Sequence, residues 1–396
     1  MPFKARVLVA GNFLSALGNG FVFPFMFIYL HEIRGISSAL AGVVAGYGML
    51  ASLIFSPLHG YLIDHWGPRP VLLGSLIVSA VGYGGMAKIS SFTGAILIFT
   101  IISFGQSAMW PSQSALGVEI VPSEYVTRYF GAQFALMNLG LGLGGLISSI
   151  FVLNGKASSY ERLYLIDGVS FLIYFIFVIF IKDVGHRTSK ERIARSEIGE
   201  GWGDVLKDKK FIKYWLVAVL CIFSGYSQLE VGFTAFSRKF AHVSPGVLAW
   251  AFATNTILIA TTQLWFTKKV ENAEPRKALA TAVFFWILAW ITLAFSGMIT
   301  SLAVALVILN QAVFGIGEMI WSPVMPSVIN SLAPEHLRGR YNAFGANAWQ
   351  IAGIGGPIVA GTLIGANLQW FWISTLIIGL ALAGYFALRL DISPSK

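Results

Sequence analysis

The sequence predicts an all-α integral membrane protein of twelve transmembrane helices in two six-helix, pseudo-symmetric bundles. Three observations carry this expectation. Of 396 residues, 56% are hydrophobic and 11% charged, with mean hydropathy +0.73; a soluble domain carries about 25% charged residues. Apolar runs of about 20 residues, the length that crosses a bilayer, recur from end to end. One long polar segment then divides those runs into six and six.

The runs fall at 5–31, 38–63, 70–88, 93–118, 127–152, 161–182, 211–237, 244–267, 276–298, 301–330, 337–364 and 367–390. The first is too long for a cleavable leader, contains Asn12, Asn19 and Pro24, and leads directly into the second. The domains are therefore expected at 1–182, the first bundle, and 211–396, the second. Between them, 183–210 mixes both signs of charge with few bulky apolar residues before Trp202, and reads as a cytoplasmic linker with a surface helix near 200–209.

The net charge of +9 raises the question of nucleic acid, but the placement of the charge argues against it. With the N-terminus inside, only Arg34, Lys88, Lys156, Arg162, Arg238 and Lys239 fall on outer segments, and the rest of the 27 basic residues fall on inner ones. None is left for mid-membrane. This asymmetry is topogenic and puts both termini in the cytoplasm, with the lipid bilayer as partner. The single cysteine, Cys221, excludes an internal disulfide and a cysteine metal cluster, and the six histidines lack metal-ligand spacing. No cofactor is expected: no Gly-rich phosphate loop with a Lys and no Ser-His-Asp arrangement is present.

The halves repeat. At an offset of 212, Gly105 matches Gly317, Pro111 Pro323, Pro122 Pro334, Arg128 Arg340, Tyr129 Tyr341 and Gly144 Gly356. Parallel repeats of six spans are a transporter plan, with a binding site at the interface. At the same offset Gln106 matches Glu318 and Gly18 matches Glu230, which puts both acids in the second half.

Glu230 and Glu318 are the proton-coupling candidates. A carboxylate in hydrocarbon is costly, so such residues face a cavity and mark function. Burial disfavours the charged carboxylate, so an acid at Glu318 is suited to hold a proton and release it when water enters. Glu230 lies about seven residues from the outer end of its span, and its rival reading is an interfacial acid paired with Arg238 or Lys239. Asp167 reads as a surface acid near the outer boundary. The substrate-cavity candidates are Asn19, Gln106, Trp110, Gln133, Asn138, Asn255, Asn347 and Trp349, with Tyr29, Gln263 and Asn310, since amides inside spans need partners that a wet cavity supplies. Trp265 and Trp286 read as anchors or packing.

Between the second and third spans lies Gly60-Tyr61-Leu62-Ile63-Asp64-His65-Trp66-Gly67-Pro68-Arg69. The glycines permit tight packing and a short turn. Asp64 is expected to cap the following helix N-terminus, and Arg69 to reach Glu119. The segment resembles the signature loop of the major facilitator superfamily, G-x-x-x-D-R/K-x-G-R/K, departing from it at His65 and Pro68. The resemblance implies an inner gate formed by Gly60, Asp64, Gly67, Arg69 and Glu119. The second copy is worn: Pro275-Arg276 matches Pro68-Arg69, which sets Glu271 opposite Asp64. The glycine-rich runs 138–145 and 353–361 look like the antiporter motif G-x-x-x-G-P-x-x-G-G, and helix packing explains them equally well. The segment Gly315-Ile316-Gly317-Glu318 is similar to twelve-helix bacterial drug:proton antiporters. The arginine usual in that family before the helix 4 glycine is replaced by Phe99 and Thr100.

The expected function is secondary active transport by alternating access: proton-coupled export, by a monomer in a bacterial or archaeal inner membrane, of amphipathic or lipophilic small molecules, cationic or neutral. An anion would want a base in the path. The rivals are proton-coupled uptake or lipid translocation and, from another class, a non-transporting membrane sensor or enzyme.

Overall fold

The computed structural model describes residues 1–151, 156–188, 191, 199 and 201–392. Twelve long helices follow in chain order: α1 Phe3–Val22, α2 Ser38–Trp66, α3 Pro68–Met86, α4 Phe92–Ile120, α5 Val126–Phe151, α6 Ala157–Ile179, α7 Lys209–Ser224, α8 Pro245–Val270, α9 Pro275–Met298, α10 Ala303–Leu332, α11 Arg338–Gly365 and α12 Gln369–Ala387. All but α1 anchor a stretch long and apolar enough to cross a bilayer. In the linker, a short helix spans Trp202–Lys207.

The first and seventh spans are expected as continuous helices and are not. After α1 the chain passes through a 3-10 turn, Phe23–Phe25, and a π turn, Tyr29–Ile33. Pro24 has no N–H to give the ladder there. After α7 the break comes at Gly225, followed by a 3-10 turn, Tyr226–Gln228, a π turn, Leu229–Phe233, and a last helical piece, Thr234–Lys239. Backbone freed inside a membrane must find partners within the protein. Gln228 supplies them: its Nε2 donates to Phe223 O at 2.9 Å, and its Oε1 accepts from Trp372 Nε1 at 2.9 Å.

These breaks reveal the repeat in three dimensions. Both spans run from helix to 3-10 to π. The 3-10 turns lie 203 residues apart and the π turns 200 apart. Ser37 and Ser244, 207 apart, each cap a helix by accepting from the N–H three residues on. Pro122 and Pro334, 212 apart, carry nearly equal backbone angles (φ −54°, ψ 147° and φ −56°, ψ 146°). The register therefore shifts along the chain, because connecting loops absorb length differences. The expected match of Glu230 with Gly18 is corrected: Glu230 stands at the place of Leu30. Gln106 and Glu318 keep theirs.

The chain forms two compact units: Met1–Gly203 with Ala333–Asn347, and Asp204–Leu332 with Ala348–Lys396. The first unit packs Leu72, Leu76, Phe130, Phe171 and Tyr174 in one cluster and Tyr29, Phe99 and Tyr164 in another. Its α1 and α5 come into backbone contact: a Cβ at Gly144 would lie 2.2 Å from Leu17 O. The glycine-rich run thus serves close packing there. The second unit is built around indoles. Trp290 Nε1 donates to Ser224 O at 2.8 Å and Trp286 Nε1 to Phe314 O at 3.2 Å, so large apolar rings are buried without stranding a polar tip.

Candidate functional site

In the second unit, α10 carries Glu318 inward, leaving it 6% exposed. Asn255, on α8, donates from Nδ2 to Glu318 Oε2 at 2.5 Å and to Gln311 O at 3.3 Å. The Tyr226 hydroxyl, from the broken seventh span, also reaches the carboxyl and lies 3.4 Å from Ser322 Oγ. Glu318 forms no ion pair among the described residues. The Tyr226 ring stands among Trp286, Phe314 and Trp349, with centroids 5.2, 5.7 and 4.7 Å away. The result is a buried acid held by neutral hydrogen-bond partners beside an aromatic cluster. It can exchange a proton without first breaking a salt bridge. Sequence reasoning named Glu318, Asn255 and Trp349 but missed Tyr226. The signal was its place one residue beyond Gly225, where the helix breaks.

The side chain of Glu230 lies outside the described residues, and its backbone sits in the π turn. Lys239 Nζ donates to Ile364 O at 3.0 Å, and Arg238 Nη1 to Val243 O.

In the first unit the signature turn is assembled as follows. Gly67, at φ +96°, lets α2 turn directly into α3, in a conformation that L side chains rarely adopt. Asp64, 5% exposed, accepts from Gly339 N at 2.5 Å, Arg340 N at 3.2 Å and Arg340 Nη1 at 3.2 Å. The carboxylate does sit at a helix N-terminus, but that of α11, not the expected α3. Gly60 has the backbone of Arg340 against it, with a Cβ there only 3.0 Å from Arg340 Cα.

The expected Arg69–Glu119 contact is not formed. Arg69 instead donates to Val178 O at 3.4 Å and Ile179 O at 3.0 Å, carbonyls at the C-terminal end of α6, where a cation is favoured. Glu119 takes Arg187 from the linker, with Nη1 to Oε2 at 3.3 Å. Burial works against the Arg187 charge, but Glu119, Glu335 and Glu191 more than offset it, so the guanidinium holds its proton more firmly than usual. The worn second turn keeps a local cluster in which Lys277 and Arg276 hold the exposed Glu274 carboxyl below the ordinary range.

The remaining candidates divide. Gln106 Nε2 reaches Tyr83 Oη at 3.5 Å, and Asn19 lines a cavity with Tyr83. Gln133 Nε2 bonds Gln113 Oε1 at 2.8 Å in the core, Asn138 bonds Phe134 O of its own helix, and Asn310 bonds Ala289 O. Gln263 holds Met319 O and Tyr29 holds Met86 O. Each of these five bonds another group of the protein. Trp110 is half-buried, and Asn347 is buried with Oδ1 unpartnered among the described residues. Trp286 is fully buried packing, as expected, and Trp265 is exposed beneath Lys269 Nζ at 3.8 Å. Asp167 corrects an expectation: it is no surface acid, being 0% exposed under α1 at Gly18. The sequence placed it by distance from the span end, whereas helix rotation decides which way it points.

Fold and site together define a polytopic membrane carrier with a buried acid, not an enzyme. A model of the Major Facilitator Superfamily matches residues 8–357 and, in a second match, 233–396, and the chain belongs to that superfamily. It is 25% identical over 373 residues to an uncharacterised MFS-type transporter of Bacillus subtilis, YttB, covering 92% of this chain and 89% of that one. It is 24% identical over 379 residues to the multidrug resistance protein MdtH of Aeromonas salmonicida, covering 94% and 91%. Among solved structures, a bacterial homologue of the iron transporter ferroportin, in its outward-facing state, has the same fold. The TM-score is 0.82 at 13% identity, over 98% of this chain and 99% of that one.

Proposed function

We propose that this chain is a secondary active transporter working by alternating access, which exports amphipathic or lipophilic compounds, cationic or neutral, in exchange for protons. The observation that carries the reading is Glu318. It is a buried carboxyl with hydrogen-bonding partners from two other spans and no cation paired to it among the described residues. The aromatic faces of Tyr226 and Trp349 beside it suit a flat or cationic ligand. The likeness to a multidrug resistance protein supports the same direction.

In this reading the bundles 1–182 and 211–396 are the moving parts, 183–210 is their cytoplasmic linker, and Gly60, Asp64, Gly67, Arg69 and Glu119 with its partner Arg187 serve the inner gate. Glu230 is a second proton-coupling candidate. The distribution of Lys and Arg supports insertion in the cytoplasmic membrane with both termini inside, and the proposed unit is the monomer. The test is Glu318→Gln in proteoliposomes. Gradient-driven transport should be abolished while substrate binding and exchange at equal pH survive; full gradient-driven transport in that variant removes Glu318 from the mechanism.

A further inference from the structure

The first unit encloses a cavity of about 250 Å³ among α1, α3, α4, α5 and α6, lined by Asn19, Tyr83, Met86, Phe99, Ile102 and Tyr164, among others. Its wall is apolar apart from a few polar points, and two of those lack partners. Tyr164, 2% exposed, has a hydroxyl with no hydrogen-bond partner among the described residues, and so does the Asn19 carbonyl oxygen. Tyr83 is already engaged by Gln106.

Behind Tyr83 and Tyr164 lies Asp167, close enough to act on both electrostatically. Its Oδ1 accepts from Ser170 Oγ at 3.2 Å and its Oδ2 has no partner among the described residues. No ion pair to Asp167 occurs among the described residues. Unpaired buried polar groups cost about 1–3 kcal/mol each, so a cavity wall that keeps two of them, Tyr164 and Asn19, is suited to a ligand that answers them. The Asn19 oxygen can only accept and the Tyr164 hydroxyl can accept as well, so the complementary head is a donor, and the carboxyl behind the wall, when ionised, favours a cationic one. The volume falls just below the about 300 Å³ where drug-sized pockets begin, so the ligand is small.

We propose that this cavity is a second binding site, separate from Glu318, for a small lipophilic primary amine. The ammonium points to Asn19 and Tyr164, and the tail lies among Met86, Phe99 and Ile102. The probe is 2-phenylethylamine, titrated calorimetrically against the full chain in nanodiscs, beside 2-phenylethanol and ethylbenzene. Wild type should bind the amine saturably. Asn19→Leu and Tyr164→Phe should weaken it about tenfold, the equivalent of one lost charged hydrogen bond, and leave ethylbenzene unchanged. Ile102→Phe and the milder Leu141→Phe, which fill the cavity, should weaken both. Val81→Trp, adding bulk on the exposed side of α3, should change neither, with thermal unfolding used to verify that each variant is folded.

No saturable amine binding up to about 10 mM overturns the proposal, as does equal affinity in wild type and both cavity-filling variants. Alcohol binding as tight as amine binding overturns the assignment of a cation. The readout is binding, so a failure here leaves the transport test on Glu318 untouched.

Discussion

Asp64 and Arg340, 276 residues apart in sequence, form a buried ion pair: Arg340 Nη1 lies 3.2 Å from Asp64 Oδ2, and the Gly339 N–H donates to Oδ1 at 2.5 Å. The Arg340 guanidinium also stands over Tyr61, 5.3 Å from its ring centroid. One carboxylate thus answers both a helix N-terminus and a side-chain cation.

Asp64→Asn keeps the shape but leaves Arg340 buried without its counter-charge. Removing one partner of a buried pair costs about 3–5 kcal/mol. The expected outcome is lower thermal stability and at least about tenfold slower turnover, with ligand dissociation constants unchanged. Counterflow in proteoliposomes measures the rate and equilibrium titration the affinity. Wild-type turnover would count against a gate.

Gly18 and Gly42 make a matched pair for packing. A Cβ on Gly18 would lie 2.3 Å from Asp167 Oδ1 and 2.3 Å from Ser170 Oγ, while nothing lies within 4 Å of one on Gly42. Overpacking costs about 1–3 kcal/mol and a helical Gly→Ala change gains about 1. Gly18→Ala should therefore lower the unfolding temperature and Gly42→Ala raise it slightly. Equal shifts would mean that Asp167 does not pack against α1.

Gln228→Leu removes the donor to Phe223 O and the acceptor for Trp372 Nε1 while keeping the volume. Phe223 O keeps the Ser227 hydroxyl as donor, so Trp372 Nε1 is the group stranded, and the loss should be about 1–3 kcal/mol. Thermal unfolding should show this as one of the larger single-site losses in the second unit. A loss no larger than that of an exposed Leu change would show that the seventh-span break is held by other means.

Glu274 gives the pH test. Lys277 first, then Arg276, depress its carboxyl. A group lowered in the folded state stabilises above its unfolded value, about pH 4.3 for glutamate, and that contribution disappears as the pH falls through the lowered folded value. The site is open to solvent on one side, so the effect should be marginal and should vanish in high salt. A Glu274→Gln shift that persists in high salt would contradict this.

Much of the fold was legible because a bilayer imposes a length and a polarity that composition reveals directly. Asn255, Glu318 and Trp349 were legible as separate residues, since polar and large aromatic side chains are conspicuous in apolar runs. Their meeting with Tyr226 was not, because it depends on a helix break whose consequence is tertiary. Arg69 was misassigned because, of the acids and carbonyls an arginine could reach, only packing selects the end of α6.

The sequence by itself determined twelve apolar segments, a six-and-six division and a register that repeats within each continuous helix, because these follow from hydrocarbon thickness and from chain connectivity. Tertiary structure decided which way each helix turns. Rotation about its axis moved Asp167 from the expected surface to full burial. Asp64 found its helix terminus on α11 and not on its neighbour, since an N-terminal dipole attracts a carboxylate wherever packing presents it.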